Sequence, residues 1–84
     1  MSAATKEAPL ILNKDRVENQ IRTLIRLRGA PMSREDRIRE MDKAIATAHQ
    51  FLKAEKDNPA LGKDLFGELH DACSTTEERR ANLR

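Results

Sequence analysis

Apolar residues recur along this chain in three runs with a spacing close to that of an α-helix, and polar residues fill the positions between them. In the first run Val17, Ile21 and Leu24 follow one another at intervals of three and four, flanked by Ile25 and Leu27. Asn13 stands where an N-cap is needed, with Asp15 in the first turn. The run should stop at Arg28, because Gly29 can take the left-handed conformation that closes a helix and Pro31 cannot continue the hydrogen-bond ladder. The pattern predicts a helix over 13–28.

The second run is the most regular. Ile38, Met41, Ile45, Ala48 and Leu52 alternate spacings of three and four, and Ala44 and Phe51 widen the stripe on one side. Ser33, three residues before Asp36, has the form of a capping box, so a helix is expected over 33–57. Two heptads fall short of a free-standing coiled coil, and the spacing is read as bundle packing. The connection Gly29 to Met32 is short, which sets the two helices side by side and antiparallel.

Asn58-Pro59 ends the second helix, since a residue before proline is pushed out of the helical region, and the same pair suits the cap and first position of a third. Leu61, Leu65, Leu69 and Ala72, with Phe66 and Cys73, supply an apolar face opposite Asp64, Glu68 and Asp71. Gly62 and Gly67 weaken this helix by about 1 kcal/mol each relative to alanine. Beyond Cys73, Ser74 and Thr75 each precede a glutamate by three, so residues 74–84 are expected as a short separately capped helix or a frayed tail. Only Ala81 and Leu83 are there to be buried. The expected fold is all-α: a flexible arm over 1–12, then an antiparallel helical hairpin and a third short helix forming a small bundle over 13–73.

A chain of 84 residues holds one domain. Its charged share of 36% exceeds the usual ~25%, so the helices carry wide solvated faces over a thin core. Domains of this size seldom draw more than about 3–5 kcal/mol from their own core. Cys73 is the sole cysteine and cannot form an internal disulfide, so self-association is the expected route to further burial. No stretch approaches the roughly 18 apolar residues of a membrane span, and Met1 to Pro9 lacks the apolar run of a secretory signal. A cytoplasmic protein with no membrane partner is expected.

The net charge of +2 is small, but residues 13–39 carry eight Lys/Arg against four Asp/Glu while residues 40–73 carry four against seven. That asymmetry favours antiparallel pairing of two copies. For nucleophilic catalysis the candidates are Cys73, His70 and His49, with His70 and Cys73 three apart on one helix face. No glycine-rich or strand-to-helix turn is present to expose a nucleophile beside an oxyanion hole, so no enzyme is expected. Three Cys and His residues fall short of the four ligands of a structural zinc site, and no metal or other cofactor is expected. The glycines are too scattered for a phosphate loop.

The arginines are the candidate binding residues. Arg22 and Arg26 share the outer face of the first helix, Arg28 ends it, and Arg34 and Arg37 open the second, so a hairpin gathers them near its tip, where helix N–H groups would suit a phosphate or carboxylate. Glu35, Asp36 and Glu40 are interleaved and compete for the same groups, which is the pattern of an ordinary solvated surface. Nucleic-acid binding has weaker support: single-strand recognition stacks bases on aromatics, and Phe51 and Phe66 both look buried. A helix-turn-helix reader would use Arg34, Glu35 and Arg37, but the long second helix suits a packed hairpin better.

Ser33-Arg34-Glu35 resembles the Ser-Arg-Glu run that small phage helical-hairpin proteins, which sequester cyclic nucleotides, carry at the start of their second helix. The resemblance is confined to that tripeptide, and His49 stands about where those proteins favour a large aromatic, so it assigns no membership. The function expected from the residues is that of a small non-enzymatic adaptor or inhibitor, of the kind bacteria and their viruses encode, docking on a larger protein. The alternative is a phosphate-directed binder of nucleic acid or nucleotide.

Overall fold

The computed structural model describes residues 13–57 and 59–83. Over those residues the chain forms α1 (Lys14–Leu27), α2 (Arg34–Asp57) and α3 (Lys63–Ala81), with no strand. The arm expected over 1–12 and the cap expected at Asn58 lie outside the described residues.

The start of α1 follows its local chemistry: the Asn13 Oδ1 accepts the Arg16 N–H at 2.9 Å. The helix also stops where expected, though by another device. Gly29 does not take a left-handed conformation, and Arg28 remains right-handed. The last turn tightens instead, with Arg28 N–H donating to the Ile25 carbonyl and Gly29 N–H to that of Arg26, both at 3.2 Å. At the start of α2 the Ser33 Oγ accepts the Asp36 N–H at 3.1 Å, as its sequence implies.

The third helix departs from expectation at both ends. It begins at Lys63 after Gly62, whose φ of 95° is a conformation that L side chains rarely adopt, and Pro59 is not its first residue. The buried Glu55 carboxylate accepts the N–H groups of Ala60 and Leu61, holding this stretch as a linker that delivers Leu61 to the core before the helix starts. At the far end there is no break at Ser74: one helix runs on to Ala81 and is longer than α1, so neither a separate capped helix nor a short third helix describes it. The reason is tertiary. Thr76 is fully buried, its hydroxyl donating to the Leu24 carbonyl at 3.4 Å, and Arg80 bonds the Asp42 carboxylate at 2.8 and 3.4 Å. Leu83 packs on the core edge beyond them.

These contacts set the topology. Gln20 Nε2 donates to the Ala44 carbonyl at 2.8 Å and Arg80 meets Asp42, so α2 runs antiparallel to both of its neighbours. The first residues of α1 and α3 share a groove through Lys14, Glu18, Asp64 and Leu65, while Leu24 reaches Thr76 near the other end, so α1 and α3 run the same way. All three helices pack on one another around Val17, Ile21, Leu24, Leu27, Met41, Ala44, Ala48, Phe51, Leu61, Leu69, Ala72 and Cys73.

Within α2 the buried line is Met41, Ala44, Ala48, Phe51 and Glu55, so the centre of the stripe is rotated from Ile38, Ile45 and Leu52, which are half-buried. A helix wedged between two others buries the line where it meets both, and alanines there let the backbones approach closely. Phe66, expected in the core, is only half-buried and lines a groove with Lys56 and Pro59.

Candidate functional site

The five arginines read from the sequence as one cluster are split by the fold. Arg28 is turned inward along α3: its Nη2 donates to the Ala72 carbonyl at 3.1 Å and its Nε to the Thr76 hydroxyl at 3.3 Å. Arg34 donates to the Leu83 carbonyl, and Arg37 reaches back to the Ala30 carbonyl with its Nε buried and unpaired. These three tie the interhelical turn and the end of α3 together. Arg28 and Arg37 do so from partly buried positions and Arg34 from the surface.

Arg22 and Arg26 remain on the outer face of α1, one helical turn apart, and neither forms an ion pair among the described residues. Among the described residues Arg22 donates to Asn19, three residues before it. Beside them Ile25 is 51% exposed, the one large apolar side chain so exposed among the described residues. Asn19, Arg22, Thr23, Ile25 and Arg26 line a single shallow depression. The local cause is periodicity: α1 buries Val17, Ile21, Leu24 and Leu27, and Ile25, four residues after Ile21, falls at the margin of that stripe on the side toward Arg22.

A second gathering of reactive groups lies between α2 and α3. The His70–Cys73 pair read from the sequence does not meet; His70 is exposed, with its Nδ1 3.7 Å from the Asp71 carboxylate. The histidine beside Cys73 is His49 of α2, whose Nε2 is 3.9 Å from the Cys73 Sγ and 2.8 Å from the Glu77 Oε2. Cys73 itself is 2% exposed, and burial, aided by the negative charge of Glu77, pushes its thiol up to about 11.

Sequence reasoning missed Glu55, Thr76 and Glu77. A signal existed for Glu77, which stands four residues after Cys73 and so shares its helix face, but the helix expected to end at Cys73 concealed it. Glu55 lies on the same face as Ala48 and Phe51, yet a charged residue among apolar ones reads as surface until a partner is visible. No protein-family model, curated protein or solved structure matches this chain.

Proposed function

We propose that this protein is a small non-enzymatic adaptor or inhibitor that docks on an acidic surface of a larger protein through the outer face of α1. The observation that carries the reading is Ile25, half exposed beside two arginines that form no ion pair among the described residues. An exposed apolar side chain beside two arginines is a composition found in interfaces, and it calls for a partner with an apolar notch edged by carboxylates. A second copy fits this face less well, because a two-fold pairing sets Arg22 and Arg26 against their own counterparts. The thin core expected to require self-association is also extended within one chain by the length of α3. Self-association through another face, and a cytoplasmic setting, remain part of the proposal; light scattering giving a mass near 9.5 kDa at tens of micromolar would remove the former.

A catalytic reading lacks support in the chemistry. A thiol that titrates near 11 is a poor nucleophile at neutral pH, and the one nitrogen of His49 that approaches it is hydrogen-bonded to Glu77. The phosphate-directed alternative is weakened for a different reason. It drew on five arginines, and Arg28, Arg34 and Arg37 each donate to backbone carbonyls of this chain, Arg28 and Arg37 from partly buried positions.

The test is capture of partners from native cell extract by the parent protein and by Ile25→Ser and Arg22→Ala/Arg26→Ala variants. All three should show the same helical circular dichroism, because none of these residues is buried. Loss of one captured protein in both variants supports the docking face. Capture unaffected by either variant would remove it, and capture of nucleic acid with steep salt dependence would favour the alternative.

A further inference from the structure

We propose that His49, Cys73 and Glu77 form a binding site for a single thiophilic divalent metal ion of the zinc class. The three residues come from two helices, and one donor atom from each lies within 4.8 Å of the others. Zinc takes imidazole nitrogen, thiolate sulfur and carboxylate oxygen at about 2.0–2.3 Å, so ligand atoms around a tetrahedral ion stand roughly 3.3–3.7 Å apart. The Nε2–Sγ distance of 3.9 Å and the Nε2–Oε2 distance of 2.8 Å bracket that span. Closing the first by a few tenths of an ångström, opening the second, and bringing the Glu77 carboxylate about 1 Å nearer the sulfur from within 4.8 Å asks for rotations of the His49 and Glu77 side chains. His49 and Glu77 have the room for these, their side chains being 56% and 45% exposed.

The arrangement differs from an incidental surface ion pair in its third member. Cys73 is fixed in the packed core and offers sulfur to the corner where the histidine and carboxylate meet. The spacing of Cys73 and Glu77, four residues on a continuous helix, puts both ligands on one face, and α2 supplies His49 from the opposite side. Three protein ligands with an exposed outer side leave the fourth position to water, the pattern of an open rather than a closed zinc site. Counting only cysteine and histidine therefore understated the ligand supply, because Glu77 completes the set. Sulfur and imidazole together select zinc-like ions over magnesium or calcium, which prefer all-oxygen shells.

Binding balances as a proton exchange. The Cys73 thiol gives up its proton to solvent as the Sγ–metal bond forms; the proton that His49 Nε2 holds toward Glu77 leaves that nitrogen, the ring keeping a proton on Nδ1, so that the Nε2 lone pair and the freed Glu77 carboxylate each bond the ion. The burial and the Glu77 charge that hold a proton on the thiol both disfavour a bare thiolate there; a dication beside the sulfur reverses that preference. The inference stands apart from the docking face on α1, and either can fail alone.

The test titrates cobalt(II), a spectroscopic stand-in for zinc, into the full chain kept reduced by a non-thiol reductant. The parent should bind one ion per chain with a sulfur-to-cobalt charge-transfer band that zinc abolishes and magnesium does not. Cys73→Ser should lose the band. His49→Gln and Glu77→Gln, both at exposed positions, should keep the fold and each weaken binding by about tenfold or more. His70→Gln should change nothing. No charge-transfer band at a several-fold excess of cobalt overturns the proposal, and so does a band of parental affinity in both His49→Gln and Glu77→Gln. Those two variants decide the matter even if Cys73→Ser fails to fold.

Discussion

The carboxylate of Glu55, in the last turn of α2, accepts the backbone N–H of Leu61 with both oxygens at 3.1 Å, and the N–H of Ala60 with Oε1 at 2.8 Å. Glu55 is 5% exposed; its bonds to Leu61 are buried and the bond to Ala60 is partly so. Glu55→Ala strands two donors of the linker and should cost roughly 1–3 kcal/mol of stability, read from urea denaturation. A cost within the surface range of about 0.5 kcal/mol would mean that solvent reaches those N–H groups.

The two glycines around α3 should respond in opposite directions to alanine. Neither would bring a new Cβ within 4 Å of other atoms, so packing is not what separates them. Gly62 holds a φ of 95°, and Gly62→Ala should destabilise by about 1 kcal/mol or more through backbone strain. Gly67 lies inside the helix at ordinary φ, and Gly67→Ala should stabilise by about 0.5–1 kcal/mol. Thermal melts of the two variants give the signs directly; a shared sign would contradict the assignment.

Truncation of the core should follow the structure rather than the size of the side chain. Leu24 and Leu69 are fully buried, and either one changed to alanine should cost about 2–5 kcal/mol. Ile45, the middle of the stripe in the sequence pattern, is half-buried at the edge of the cluster, and Ile45→Ala should cost clearly less. Equal losses at Ile45 and Leu69 in chemical denaturation would place Ile45 on the helix contact line after all.

The Cys73 thiol makes stability depend on alkaline pH. Its value rises from 9.0 to about 11 on folding, chiefly by burial and then by Glu77. Below pH 9 the thiol keeps its proton in both states and this contribution is complete. Between 9 and 11 the unfolded chain ionises while the folded chain does not, so stability should fall as pH rises through that window. Denaturation at pH 8 and pH 10.5 should show a drop in the parent that is reduced in Cys73→Ala; equal drops in both would assign the effect to other groups.

How far the candidate site could be read in advance is clearest from the arginines. Arg22 and Arg26 were legible because four residues is one helical turn, and the apolar positions of α1 dictate which side faces out. Arg28, Arg34 and Arg37 are equally arginine and equally near the turn, yet their guanidinium groups end on carbonyls of Ala72, Leu83 and Ala30. Two of those three acceptors lie more than forty residues away in sequence.

What the sequence determined by itself is whatever depends on neighbours a few residues apart. The Asn13 and Ser33 caps, the stop before Pro31, the three apolar runs and the outward face of α1 all arise within one or two turns, where composition and spacing act directly. The tertiary structure alone decided which line of α2 is buried, where α3 begins and ends, and which groups meet. α3 continues past Ser74 because Thr76 and Arg80 find Leu24 and Asp42 on other helices. His49 meets Cys73 and Glu77 because two antiparallel helices pack side by side. The physical reason is common to these cases: each contact joins residues far apart in sequence, so the partner, whether of the buried Thr76 or of the exposed His49 and Arg80, is supplied by whichever helix the fold brings alongside.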